Sequence, residues 1–263
     1  MTQKTSQCCR CCCLQPNIHW QYAPLTEEIE TLSQSSGVGA AIQGKTHMHV
    51  QEDAPYCGRT LSWCYPGFRP TRFTVHAGND ESGPMLFTHE KEMTCGVTAV
   101  VGVNSNGQVI RVPCCCNLPY LTTKDANGQA LGKSHYLCDE CLCIPKYSIT
   151  DPSGQVWYVV RPDACPVPCC CCVNFKCGGK KARCCRIPFY IRDPATRDKL
   201  DGGEAYISDL WAGWTAECCT QRDLYGIKFP SKATTAQKAT ILGCAHLIDI
   251  TWNEQEGAEG GDS

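Results

Sequence analysis

The chain has 263 residues, a formal net charge of -2 and a pI near 6.4, so no global charge draws it to nucleic acid. Its length suits one large all-β unit or two short domains, enough for a full core. The charge is uneven: Lys176 to Lys199 holds eight basic residues against Asp193 and Asp198, a local +6 that leaves -8 for the rest.

Cysteine is the compositional outlier, at 25 residues. The opening residues Met-Thr-Gln-Lys-Thr-Ser-Gln contain no apolar signal-like run. The expectation is a reducing, intracellular setting in which the cysteines serve as thiols, metal ligands or acylation sites rather than as a disulfide framework. No run approaches the ~18–20 apolar residues of a membrane span, so membrane attachment is expected to be peripheral or lipid-based.

Residues 1–55 read as a cysteine-rich, weakly structured segment, with a short helix possible over Leu25–Leu32. Short β-rich runs then follow one another: Arg72–His76, Val97–Val103, Gln108–Val112, Lys146–Ile149, Gln155–Val160, Arg186–Ile191 and Glu204–Ser208. Between them stand turn sequences at 78–83, 104–107, 125–128 and 151–154, rich in the Gly, Asn and Asp that tolerate positive φ. Regularly spaced short strands favour a sandwich or barrel over a βαβ fold.

An internal repeat reinforces this. Arg72-Phe73-Thr74-Val75, a turn and Pro84–Phe87 match Lys146-Tyr147-Ser148-Ile149, a turn and Val156–Val159, with Phe73 and Tyr147 in equivalent places. Two copies are too few for a solenoid and suit a barrel of two similar halves. The last element is a helix at about 234–250. Its second half, Ala239–Ile250, is apolar almost all round, which places it inside protein or lipid. At 1.5 Å per residue it spans roughly 18 Å, too short for a bilayer, so the inside of the protein is expected. His246 and Asp249 share one face of it. They are expected to be buried polar groups satisfied by the surrounding backbone rather than a catalytic pair.

The C-terminal block carries a family resemblance. Ile207-Ser208, Trp211-Ala-Gly-Trp214, Glu217, Asp223-Leu-Tyr-Gly-Ile-Lys-Phe-Pro230 and Gly243-Cys-Ala-His-Leu-Ile-Asp249 follow in order. This series resembles the phospholipid scramblase family, over roughly Tyr65 to Glu254. The resemblance implies a tubby-like fold, a closed antiparallel barrel of about twelve strands around a central hydrophobic helix, with the domain at 56–252 and an acidic tail at 253–263. It also implies ATP-independent lipid movement, calcium responsiveness and thioacyl anchoring.

Each implied site was weighed on its residues. The family's calcium loop retains one carboxylate here, Asp223, flanked by Arg222 and Lys232, and hard cations need several oxygen ligands. No physiological calcium binding is expected. Cys114, Cys115 and Cys116 resemble the family's acylated cluster. Cys8, Cys9, Cys11, Cys12 and Cys13 fit acylation on composition, beside Arg10. Cys95, Cys165 and Cys244 suit small buried hydrophobes. Cys138-Asp-Glu-Cys141 has zinc-ligand spacing, but a partner pair such as Cys184-Cys185 would have to converge on it, so zinc is not expected there. Lys176, Lys180, Lys181, Arg183 and Arg186 are candidates for anionic headgroups, at about 1 kcal/mol per exposed cation near a membrane.

The reading is therefore a non-enzyme with no cofactor, peripheral on the cytoplasmic face of a membrane. Its expected partner is an anionic phospholipid surface, with no nucleic acid. The alternative is a non-transporting adaptor module within a larger assembly.

Overall fold

A computed structural model describes residues 2–3, 19–24, 47–54, 70–94, 98–103, 109–113, 118–137, 145–163, 188–210 and 224–253. The strands are β1 (Thr2–Gln3), β2 (His19–Tyr22), β3 (Met48–Asp53), β4 (Thr71–Ala77), β5 (Met85–Lys91), β6 (Thr98–Val103) and β7 (Val109–Pro113), then β8 (Tyr120–Asp125), β9 (Ala130–Leu137), β10 (Lys146–Thr150), β11 (Val156–Pro162), β12 (Pro188–Arg192), β13 (Tyr206–Leu210) and β14 (Leu224–Lys228). Among the described residues the one α-helix, α1 (Thr235–Ile248), runs on into a π-type turn at Asp249–Asn253.

Strands β2–β5 and β8–β14 form one eleven-stranded antiparallel sheet, with β5 pairing directly to β8 and β6–β7 set aside as a separate hairpin. Among the described residues the link between the sheet's two margins is β1. Thr2 and Gln3 pair with Gln21 and Trp20 of β2, and Thr2 pairs with Leu224 of β14.

The strands form where inward positions are apolar or small. In β4, Phe73 and Val75 are buried while Arg72 is exposed. In β9 the inward side is Gly132, Ser134 and Tyr136. The repeat is visible in the hairpins. In β4–β5 and in β10–β11 the register shifts by a bulge near the turn, after Val75 and after Ile149. Two Asp-x-x-Gly turns are built alike. The Asp125 carboxylate accepts from the amides of Asn127 and Gln129, and that of Asp151 from Ser153 and Gln155. Gly128 and Gly154 supply the positive φ, 83° and 94°, that closes each one.

Three strands, β1, β2 and β3, lie inside the segment 1–55 that composition reads as weakly structured. Trp20 and Tyr22 of β2 and Val50 of β3 are fully part of the core. Each strand is short, so the alternation extends over too few residues to stand out from the polar sequence around it. The short helix expected at Leu25–Leu32 lies outside the described residues.

Helix α1 begins within a residue of where sequence places it. Thr234 Oγ1 accepts from the Gln237 amide and Gln237 Oε1 accepts from the Thr234 amide, a reciprocal capping box. Just before it, Asp201 accepts from both the amide and hydroxyl of Ser231, fixing the approach. Every residue from Ala239 to Ile248 is buried. Burying each of Ile241, Leu247 and Ile248 contributes about 1.5–3 kcal/mol. The helix meets strands from both margins of the sheet, including β2, β4, β9 and β14. The sheet therefore curls around it.

The closest approach is at small residues. Ser134 Oγ donates to the Thr240 carbonyl at 3.0 Å. A Cβ on Gly243 would lie 2.9 Å from His89 Nδ1 and 3.1 Å from Thr123 Oγ1. Gly243→Val is expected to destabilise the protein by about 1–3 kcal/mol through overpacking, read as a lower urea midpoint at unchanged slope. A midpoint equal to wild type would show that the helix can lift off β5 and β8 freely.

Candidate functional site

The interior carries a line of polar groups between α1 and the sheet. His246 Nε2 lies 2.5 Å from the Tyr22 hydroxyl. Its ring stacks on Phe73, with centroids 4.4 Å apart and planes 9° from parallel, and meets Trp20 edge-on at 5.5 Å. His89 sits 5.6 Å away, ring to ring, and its Nδ1 is 3.0 Å from Thr123 Oγ1. One turn on, the Tyr225 hydroxyl donates to Asp249 at 2.9 Å, and Tyr147 and Thr251 share a hydrogen bond of 2.8 Å.

His246 and Asp249 are buried as expected, but His246 is satisfied only at Nε2, and its Nδ1 has no partner among the described residues. The partners named here are tyrosine hydroxyls from β2 and β14 rather than strand backbone. The sheet's backbone groups are used in its own ladder, so polar groups on a central helix must find side chains.

Burial sets the electrostatics. Desolvation lowers the His89 pKa to about 3. His246 is pushed well below the usual histidine value by burial first and by His89 second. Both imidazoles are therefore neutral near pH 7. Burial raises the Tyr22 and Tyr147 phenols and the Cys244 thiol, so these stay protonated. Cys244 is the buried, inert thiol expected of it; Cys95 and Cys165 lie outside the described residues. Such a site, with its imidazoles neutral and its phenols protonated, is a polar core around a helix, suited to holding α1 in register.

The outer surface shows ionic clusters. Asp163, just after β11, takes Arg192 at 2.5 Å and Lys199 at 2.6 Å. The Lys199 ammonium also lies 3.8 Å above the Tyr190 ring. In the other half, Glu90 of β5 takes Arg72 and Lys124 in the same manner. Of the basic segment 176–199, Arg192 and Lys199 are thus already engaged by a carboxylate.

The other candidates fall elsewhere. Cys8, Cys9, Cys11, Cys12, Cys13, Cys114–Cys116, Lys176, Lys180, Lys181, Arg183, Arg186 and Asp223 all lie outside the described residues, as do Cys138, Cys141, Cys184 and Cys185. Cys114 directly follows β7 in the chain. Sequence reasoning missed His89, Tyr22 and Tyr225. The available signal was alternation: each occupies an inward position of its strand.

No family model matches the chain, and no solved structure matches it. Phospholipid scramblase 1 of Mus musculus is 31% identical over 118 residues, which is 44% of this chain and 30% of the mouse protein. The rat protein of the same name matches over the same shares. Phospholipid scramblase 2 of Bos taurus is 30% identical over 117 residues, 34% of its length.

The chain is related to the phospholipid scramblases. The aligned part spans about a third of the length of these curated relatives. The scramblase relationship agrees with the mainly-β antiparallel sheet and its buried C-terminal helix. No helix among the described residues is long and apolar enough to cross a membrane.

Proposed function

We propose that this protein is scramblase-like: it moves or binds phospholipid at a membrane without ATP and without calcium control, and it is not an enzyme. The observation that carries this reading is the match to three scramblases over 44% of the chain. In this reading the sheet closes through β1 into a twelve-stranded tubby-like barrel. The protein sits peripherally on a cytoplasmic membrane face, held by thioester-linked acyl chains on Cys114–Cys116 and on Cys8, Cys9 and Cys11–Cys13. Anionic headgroups meet Lys176, Lys180, Lys181, Arg183 and Arg186. No cofactor is needed for lipid exchange, and Asp223 alone is too poor a ligand set for calcium.

A second reading is favoured by the filled interior. With α1 packed against strands from both margins, the enclosed space is occupied by side chains. A lipid headgroup would have to travel on the outside of the sheet or through segments beyond the described residues. The same architecture would serve a non-transporting adaptor, with its outer face as the docking surface in a larger assembly.

Leaflet exchange of a fluorescent phospholipid, in liposomes carrying the purified protein, separates the two. Exchange above protein-free liposomes, equal in calcium and in chelator, is the expected result. No exchange in either, from folded and lipid-bound protein, would overturn transport and favour the adaptor. Exchange that requires calcium would overturn the calcium-independent part.

A further inference from the structure

On the outer face of the sheet, away from the interior polar line, three potential ligands converge. His19 and His49 belong to β2 and β3, thirty residues apart. The register pairs His19 with Gln51 and Gln21 with His49, so the two histidines are diagonal neighbours on one face. Trp20 and Val50 beside them point into the core. His19 Nδ1 lies 3.4 Å from His49 Nε2 and 4.0 Å from Glu81 Oε1, and the three donor atoms fall within 4.8 Å of one another.

Glu81 comes from the β4–β5 turn, and that turn is held in place over β3. The Gly78 amide donates to the His47 carbonyl at 2.9 Å, and the Ala77 amide donates to Pro84 O at 3.0 Å. His76, the direct cross-strand neighbour of His49, bonds the Gly83 carbonyl through Nδ1 at 2.9 Å. The carboxylate is thus carried to the histidines by backbone bonds that do not involve it.

The distances distinguish a ligand set from an ordinary polar contact. An imidazole pair at 3.4 Å is long for a hydrogen bond, and a carboxylate at 4.0 Å is at the limit of an ion pair. A tetrahedral zinc ion bonds imidazole nitrogen at about 2.0–2.1 Å, which places neighbouring donors about 3.3–3.4 Å apart. The two nitrogens already have that separation. Glu81 needs to close by roughly 0.7 Å on His19 and by up to about 1.4 Å on His49, and its side chain is 53% exposed.

We propose that His19, His49 and Glu81 form a divalent transition-metal site of the zinc class. Two imidazoles and one carboxylate suit zinc, copper or nickel rather than calcium or magnesium, which take oxygen. Three protein ligands leave a fourth position for water on the solvent side. The ion ties β2, β3 and the β4–β5 turn together, close to the sheet margin that pairs with β1. The site owes nothing to the cysteines or to Asp223, so it stands whether or not lipid is transported.

The chain's many thiols will also take up zinc, so the readout must be the imidazoles themselves. The full chain, reduced and labelled with 15N-histidine, is titrated with zinc past thiol saturation. The expected result is that His19 becomes fixed as an Nδ1 ligand and His49 as an Nε2 ligand, while buried His89 and His246 stay unmoved. Glu81→Gln, in an exposed turn where it leaves the core intact, is expected to weaken the imidazole response about 10–100-fold. Zinc uptake with both imidazoles unmoved overturns the site. A full response in Glu81→Gln overturns the three-ligand assignment.

Discussion

Between pH 7 and pH 5 the protein is expected to lose stability through His89 and His246, about 2 kcal/mol of it from His89. An unfolded histidine takes up its proton near pH 6.5, whereas burial holds His89 neutral down to about pH 3 and holds His246 neutral well below the ordinary value. In that window the unfolded chain binds more protons than the native one, so stability rises with pH and falls on acidification. The contribution is complete above pH 6.5 and disappears as pH drops toward the folded values. His49 and His135, both lowered chiefly by burial, act in the same direction.

The loss is large against the 5–15 kcal/mol typical of a domain. Urea midpoints at half-unit pH steps measure it. In His89→Gln the slope against pH is expected to shrink by one proton. A midpoint that stays level from pH 7 to pH 5 would mean that the two rings reach water and can charge in place.

Trp20→Ala is expected to cost about 3–5 kcal/mol, enough to unfold much of the population at moderate temperature. Trp20 is wholly buried on β2, edge-on to His246 at 5.5 Å and 6.1 Å from the Tyr225 ring. It therefore joins the first well-formed strand to the helix and to the last strand. Its indole nitrogen has no hydrogen-bond partner among the described residues. A buried, unpaired donor itself costs about 1–3 kcal/mol, so Trp20→Phe removes a penalty along with some volume and is expected to cost under about 2 kcal/mol. Equilibrium unfolding of the two variants beside wild type checks the ordering. Near-native stability in Trp20→Ala would place β2 outside the cooperative core.

How far the fold could be read from sequence varies from strand to strand. β4 and β10 were legible because Phe73 and Val75, or Tyr147 and Ile149, alternate with polar residues and lead into a Gly-bearing turn. Helix α1 was legible because Ala239–Ile250 has no polar face and its length excludes a bilayer. β2 and β3 were not legible. Each is short, with two or three inward residues, and lies in a segment whose overall composition reads as weakly structured. β8 and β9 escaped although the Asp125–Gly128 turn between them was recognised, because their inward residues include Thr123, Gly132 and Ser134. Those residues are small and polar so that the helix can come close, and hydrophobic periodicity cannot register them.

The interior site was half legible. His246 and Asp249 could be placed on one face of a buried helix. Their partners Tyr22 and Tyr225 depend on which strands the curled sheet brings alongside. The metal-ligand cluster was not legible at all. It depends on a diagonal register between His19 and His49 and on a turn from a third strand, and sequence spacing encodes neither.

Among the described residues helix α1 follows every strand, yet it supplies the centre around which the strands are arranged. During synthesis, β1 through β14 leave the ribosome before the segment that fills the space between them. A nascent chain therefore holds inward Trp20, Phe73, Tyr147 and Ile191 with nothing yet to cover them. Pairings such as Thr2 with Leu224 join residues far apart in the chain. Folding of this kind has high contact order and is slow, and the incomplete sheet is aggregation-prone until α1 has been made. The order of the chain thus makes this protein dependent on protection during its own synthesis, and a stall before Thr235 would leave a product with strands and no centre.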